Sequence, residues 1–261
     1  MHWDYTLILG ILAVIVPWRT SSRIRNLLDG PPLTSSTRIF LYLSTIIFQW
    51  VTVALILWRC LAHHLPWTLL GVVQPHPLRS AAVASGVSAV LVFNQVYAIR
   101  RVAVLPYDKR GLVAKLTEKL LPRTPKEAFV GILLVLTVAI CEEFIYRGFV
   151  EGVFTNIFAG SALAGALISA AFFSFAHIYQ GRKGLLTTFA VGLILSAARI
   201  WTGSLLPSIV IHFAVDFSVA VAALKFMPPL QDPLALVALY LAGLGSRFRR
   251  AGRRTSDRGA N

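Results

Sequence analysis

Apolar residues occur in long uninterrupted runs along this chain, separated by short segments rich in polar and basic residues. A helix needs about 20 residues to cross the hydrocarbon core of a bilayer. Transmembrane strands would alternate apolar and polar residues, and these runs do not, so the spans are predicted to be helices. The runs long enough to cross, or nearly so, are 39–58, 81–99, 125 through the acidic stretch at 142–143, 159–177, 185–201 and 205–226.

Two further apolar runs, 7–16 and 234–244, are short for a crossing. With them the pattern predicts an all-α polytopic membrane protein of about eight transmembrane helices, or about seven if one short run stays at the surface. In the segment 101–126, basic residues alternate with apolar ones at helical spacing, which indicates a helix lying along the membrane surface or a plain basic loop. The predicted divisions are N-terminal membrane helices with the basic surface helix (1–124), a core (125–226), and a short apolar segment with a basic tail (227–261).

The composition supports a membrane protein, because 56% of the residues are hydrophobic and 14% are charged. The net charge of +14 could suggest nucleic-acid binding, but Lys and Arg lie between apolar runs and not along one groove-lining face. We interpret them as signals for lipid headgroups and topology, so the expected partner is the bilayer and no nucleic acid is expected. The basic loops are expected to be cytoplasmic, and a basic tail after eight crossings would conflict with the same rule.

Two carboxylates and a guanidinium follow the apolar run 128–140, namely Glu142, Glu143 and Arg147. Each ionisable group near the bilayer centre costs roughly 2.5 to 3.5 kcal/mol on insertion scales, so three together require partners, water or a function. On a helix, the four-residue spacing places Glu143 and Arg147 on one face, where they can form an ion pair. Glu142 points about a quarter-turn away and is predicted to lack an ionic partner.

Three more polar side chains lie in apolar surroundings: His177 at the end of one run, and His212 and Asp216 within another. The i,i+4 spacing puts His212 and Asp216 on one helical face. If these groups lie near mid-depth, they can meet the acidic stretch in a buried polar cluster. For each residue alone a structural role is an open alternative: an ion pair for Glu143 with Arg147, and an interhelical hydrogen bond for either histidine.

Together, these residues form three motifs that resemble those of the CPBP family. This family contains CAAX proteases and bacteriocin-processing or bacteriocin-immunity proteins. Residues 142–147 (EEFIYR) resemble its EExxxR motif, 173–177 (FSFAH) its FxxxH motif, and 212–216 (HFAVD) its Hxxx(N/D) motif. The resemblance covers about 125–217, and the N-terminal half is similar only in being made of membrane helices. Three motifs in the right order, in successive spans, make the signal specific.

The resemblance implies an intramembrane endopeptidase related to the enzyme that removes the last three residues of prenylated CAAX proteins. Carried over by position, Glu142 would activate water with His177 beside it, while Glu143 and Arg147 would hold the site together. His212 and Asp216 would then face the scissile carbonyl. The expected substrate is a membrane-anchored peptide or protein, cut near its carboxyl end. A prokaryotic inner membrane is the expected location, and since bacteria generally lack prenylation, a prenylated substrate is not expected.

Two mechanisms by which the attacking water could be activated remain open, one with zinc and one without a metal. An ionised Asp216 only accepts hydrogen bonds and would repel an oxyanion, whereas an asparagine could donate to one. Two imidazoles and a carboxylate are ordinary zinc ligands, so Zn²⁺ could be held by Glu142, His177, His212 and Asp216, with Glu142 as ligand or base. Position 216 slightly favours this account. Alternatively, burial keeps Asp216 protonated as a donor, and the glutamate activates water without metal.

Two rival functions use the same polar cluster. A non-catalytic immunity or scaffold protein would bind a membrane partner with it, and a transporter would use it as a proton relay. The chain shows no paired broken helices in two related halves, which counts against transport. We therefore expect a protease, with the scaffold as the alternative.

Overall fold

Helices form the whole architecture of the part of the chain that the structure, a computed structural model, describes: residues 2–106 and 109–227. No strand occurs within these ranges. The helices are α1 (Trp3–Asp29), α2 (Ser35–Ala62), α3 (Trp67–Leu70), α4 (Pro77–Ala103), α5 (Gly111–Leu120), α6 (Pro125–Ile157), α7 (Ala162–Ala176), α8 (Gly181–Thr202) and α9 (Leu206–Phe226).

Six of these helices are long and apolar enough to cross a membrane: α1, α2, α4, α6, α8 with its preceding turn, and α9. The shorter α7 is also apolar and makes a seventh candidate within the described residues. The prediction of an all-α polytopic membrane protein is therefore confirmed. The predicted short span at 234–244 lies outside the described residues.

The first helix is much longer than the sequence pattern predicted. The marginal run 7–16 becomes part of a continuous 27-residue helix, Trp3–Asp29. Proline inside a helix removes a hydrogen bond and clashes with the preceding turn. Here a π-helical segment, Ile11–Ile15, comes just before Pro17. We attribute the unbroken helix to this wider turn, which relieves the clash, since π segments change the local hydrogen-bond register.

The outward faces of the spans are covered with large apolar side chains. Phe40, Phe93 and Phe129 each expose more than 60% of their surface. In every candidate span, 28% or less of the most apolar window is buried inside the protein. Such surface is stable in lipid and not in water, so the chain is an integral membrane protein.

Helix α6 lies at the centre of the site because it packs against α2 on one side and α9 on another. The largest apolar cluster joins α1, α2, α6 and α7. It therefore takes residues from both sides of the division predicted at residue 124, and that division stays a prediction. Close approach of α8 depends on Gly192, where an added Cβ would lie 3.3 Å from an Arg147 nitrogen.

Buried ion pairs fix both ends of α2. Near its start, Arg38 is 1% exposed and its Nη1 donates to Glu127 at 2.8 Å, which ties α2 to the first turn of α6. Near its end, Arg59 and His63 both contact the carboxylate of Asp4 on α1, at 2.6 and 2.8 Å. The basic residue Arg38 is thus a structural anchor and not a headgroup contact. Helix α2 is held in its axial position against α1 and α6.

Candidate active site

The acidic stretch lies where α6 changes from α-helix to π-helix. The α-helical part ends at Glu143, and the π-helical segment runs over Phe144–Val150. Segments of this kind occur often at functional sites because they reorient side chains. The buried hydroxyl of Ser169 on α7 donates to the carbonyl of Tyr146 at 2.8 Å, which supports the irregular turn from outside the helix.

Glu143 and Arg147 form the ion pair that the sequence predicted. Arg147 Nη1 donates to Glu143 Oε1 at 2.8 Å, and both side chains are fully buried. The guanidinium lies 4.2 Å above the ring of Phe173 and its Nη2 approaches the carbonyl of Gly192 at 3.4 Å. The pair therefore links α6 to α7 and α8 with several contacts, as a buried charge requires.

Glu143 also binds His212, the histidine of the third motif. His212 Nδ1 donates to Glu143 Oε1 at 2.8 Å, and His212 Nε2 lies 3.5 Å from Asp216 Oδ2. Both ring nitrogens face carboxylates, an arrangement that a protonated imidazole satisfies from both sides. Asp216 is the more open of the two carboxylates, with 40% of its side chain exposed. The sequence analysis foresaw the His212 and Asp216 pair but not the bond between His212 and Glu143.

Glu142 makes no ion pair among the described residues and has a neutral partner. Gln49 Nε2 on α2 donates to Glu142 Oε1 at 3.1 Å. The other oxygen, Oε2, is buried and accepts no hydrogen bond from the described residues. A carboxylate oxygen without a donor in a buried position is suited to accept a proton from water.

His177 follows the last residue of α7 and is partly buried. Its Nδ1 lies 2.8 Å from the carbonyl of Phe173. Since a carbonyl can only accept, Nδ1 carries a proton in this contact, and the Nε2 of a neutral ring is left as an acceptor. The imidazole is thus oriented by its own helix and presents a free nitrogen.

Glu142 and His177 line the same cavity, which has a volume of about 1160 Å³ and mostly apolar walls. Its polar lining includes Gln49 beside Glu142, and Arg19 and Arg23 from α1. His212 and Asp216 do not line it. A cavity of this size, with a few convergent polar groups in apolar walls, is typical of a ligand site.

The four predicted catalytic residues thus form two neighbouring pairs. Glu142 with His177 faces the cavity, and His212 with Asp216 lies on α9 beside it. The ring of Phe173 connects the pairs, with its centroid 4.8 Å from that of His177 and 5.8 Å from that of His212. Tyr179 interacts electrostatically with both Glu142 and Asp216, so the phenol is near a carboxylate of each pair.

A further buried carboxylate, Glu151, was not predicted from the sequence. Glu151, one helical turn beyond Arg147, is fully buried and pairs with Arg199 Nη1 of α8 at 3.0 Å. Arg199 also donates to the carbonyl of Leu69 in α3. The i,i+4 repeat of Glu143, Arg147 and Glu151 was a signal in the sequence, and the cationic Arg199 in an apolar run was its complement.

The residues that the zinc account requires are not assembled as a ligand set. Within residues 2–106 and 109–227, no three side chains of His, Cys, Asp or Glu lie close enough together to hold a metal ion. His212 is held between two carboxylates, with Nδ1 on Glu143 and Nε2 3.5 Å from Asp216, while His177 keeps its Nε2 free. This arrangement does not fit zinc, and the zinc site predicted from the sequence stays a prediction.

The apolar helices and the charged and histidine side chains buried among them define an integral membrane protein with an intramembrane polar site. Residues 124–218 match the family described as type II CAAX prenyl endopeptidase Rce1-like. The match covers the segment that carries the three motifs, and the resemblance to the CPBP family recognised from them is confirmed.

A curated relative is similar over part of the same length. The chain is 40% identical over 86 residues to an uncharacterized 24.3 kDa protein of Escherichia coli, which covers 31% of this chain and 40% of the relative. The chain thus spans less than half the length of this relative. No solved structure matches.

Proposed function

We propose that the protein is an intramembrane endopeptidase of the Rce1-like kind, in which Glu142 and His177 activate water without a metal. The observation that supports this most is that Glu142, whose buried Oε2 has no donor among the described residues, lines the same cavity as His177. A carboxylate and an imidazole with a free nitrogen can together position one water and take its proton. The family match supports a protease, and the choice of a metal-free water rests on the geometry.

The proposed reaction begins with a peptide carbonyl in the cavity beside Glu142. Water held between Glu142 and His177 attacks the carbonyl carbon, and Glu142 Oε2 accepts the proton. His212, held between Glu143 and Asp216, supplies positive charge near the developing oxyanion. Asp216 then acts through His212 and does not itself face the oxyanion. The tetrahedral intermediate then collapses with cleavage of the C–N bond, the proton on Glu142 passes to the leaving amine nitrogen, and the new carboxylic acid is the other product. Glu143 and Arg147 keep their role as structural support.

The substrate in this proposal is a membrane-anchored peptide or protein cut near its carboxyl end. An apolar cavity of about 1160 Å³ suits an extended apolar segment and excludes bulk water from most of its walls. The proposed location is a prokaryotic inner membrane, where such segments are abundant.

The test of the proposed function compares cells that carry the wild type, Glu142→Gln or Asp29→Asn. Asp29 is exposed at the end of α1, so the second variant is a matched acid-to-amide control. We expect mass spectrometry of membrane peptides to find uncut substrates accumulating only in cells with Glu142→Gln. A membrane peptide profile that is identical in all three strains would contradict proteolysis and favour the scaffold. Proton-coupled uptake by reconstituted vesicles would favour a transporter.

Metal removal distinguishes metal-free activation of the attacking water from zinc-assisted activation. Because the described residues do not assemble a zinc site, we expect peptide cleavage to keep its full rate after strong chelation and exhaustive dialysis. The measurement is the cleavage rate alongside the metal content of the same sample. Loss of activity that returns on adding Zn²⁺ would overturn the metal-free mechanism and restore the zinc prediction.

A further inference from the structure

A side chain from outside the family match reaches the proposed catalytic base. Gln49 belongs to α2, while the match covers residues 124–218. Its amide nitrogen lies 3.1 Å from Glu142 Oε1, and both side chains line the large cavity. None of the three motifs contains a residue that does this, so the N-terminal helices complete the site.

We propose that Gln49 is a positioning residue for Glu142, an inference that rests on the proposed function. By donating to Oε1, the amide fixes the rotation of the carboxylate and leaves Oε2 as the oxygen that meets water. Without this bond, Oε1 would be a second unsatisfied acceptor, and the carboxylate could turn its reactive oxygen away from the attacking water. A hydrogen bond to a charged group is stronger than one between neutral groups, so this bond favours a single rotamer of Glu142.

The chemistry of an amide suits this position. A lysine or arginine there would form an ion pair with Glu142 and weaken it as a base. A carboxamide donates one hydrogen bond, carries no charge and does not take up a proton near neutral pH. Gln49 therefore orients the base without neutralising it. Arg147, by contrast, pairs with the neighbouring Glu143, so the two adjacent glutamates receive opposite kinds of partner.

The position of Gln49 is fixed by the anchors at the two ends of α2. It lies between Arg38, which is bound to Glu127 on α6, and Arg59, which is bound to Asp4 on α1. Because Glu127 and Glu142 belong to the same helix, the Arg38 pair sets how far along α6 the amide reaches. Positioning residues need such support, since an error of about 1 Å can cost on the order of 10²-fold in rate.

The test uses three variants and a fluorogenic peptide that spans a cleavage site found in the Glu142→Gln comparison. Gln49→Leu should lower kcat by roughly 10- to 100-fold, the loss of one hydrogen bond to a charged group, while KM stays within about twofold. Trp50→Leu is the control, because Trp50 is the next residue on α2 and faces outward, with 45% of its surface exposed. It should keep the wild-type kcat.

Gln49→Glu tests the pH–activity profile, which would not change if Gln49 had a purely structural role. This isosteric change places a second carboxylate beside Glu142, and like charges disfavour ionisation of the pair. The acid limb of the pH–activity profile should therefore move to higher pH. The other titratable or charged groups around Glu142 are unchanged in this variant: Cys141, Glu143, Tyr146 and Arg147 on α6, Arg19 and Arg23 on the cavity wall from α1, and His177 and Tyr179 after α7.

The outcomes distinguish this inference from the function on which it rests. If Glu142→Gln cleaves peptides as well as the wild type, the proposed function fails, whatever Gln49 does. If Glu142→Gln is inactive while Gln49→Leu keeps the wild-type kcat and Gln49→Glu keeps the wild-type acid limb, the function stands and the role of Gln49 is wrong. Should Gln49→Leu fail to fold, the acid limb of Gln49→Glu decides alone.

Discussion

Glu142→Gln and His177→Gln should each lower kcat by about 10²- to 10⁴-fold, the range of general acid–base catalysis. Both side chains line one cavity. Oε2 of Glu142 accepts no hydrogen bond from the described residues, and the Nε2 of a neutral His177 is left as an acceptor. If they act on the same water, either loss disables the same step. The double variant should therefore be little slower than the worse single variant, because residues that act as a unit are non-additive.

The wild type, the two single variants and the double variant form a double-mutant cycle, which is measured by initial rates with a fluorogenic peptide. His76→Gln is the matched control, since His76 lies exposed in the segment before α4 and should keep the wild-type rate. All variants should elute as folded protein from size-exclusion chromatography in detergent. Rate losses that multiply in the double variant would mean that Glu142 and His177 act independently, and the shared water would be wrong.

Arg147→Ala should destabilise the fold by about 3 to 5 kcal/mol, the usual result of removing one partner from a buried ion pair. The reason is that Glu143 would remain fully buried and lose its guanidinium, while Phe173 would lose the cation over its ring. The measurement is the free energy of unfolding in mixed micelles. Arg182→Ala, at the exposed start of α8, should change it by less than about 0.5 kcal/mol.

A double variant separates stability from activity. Glu143→Leu combined with Arg147→Met removes both charges and keeps similar volume, so it should be more stable than Arg147→Ala. It should still cleave poorly, because His212 loses the carboxylate that orients its Nδ1. Wild-type stability in Arg147→Ala would show that the pair is not the structural support that we propose.

The glutamates at 142 and 143 show how neighbouring residues acquire different roles. They are adjacent in sequence, yet one is fully buried with a cation and an imidazole, and the other is partly buried with an amide and a cavity. The i,i+4 rule alone predicted which of them pairs with Arg147. It could not predict the amide, since nothing near residue 142 in the sequence points to residue 49.

The sequence by itself determined the features that depend on local spacing. Lipid requires continuous apolar helices, so the runs identified the spans, and helical periodicity identified the Glu143–Arg147 and His212–Asp216 pairs. The apolar run 7–16 underestimates the first span, because it stops before Pro17 and the π-helical turn that accommodates this proline leaves no simple periodic signal.

Only the tertiary structure decided which distant residues meet. The contacts of Gln49 with Glu142, of Glu143 with His212, and of Arg38 with Glu127 each join helices that are far apart in the chain. Any of the polar residues in an apolar helix could have had another partner, because helical spacing fixes the face on which a side chain lies but not the helix packed against that face. The packing of α2, α7 and α9 around α6 made that choice. It also placed Glu142 and His177 on the wall of one cavity.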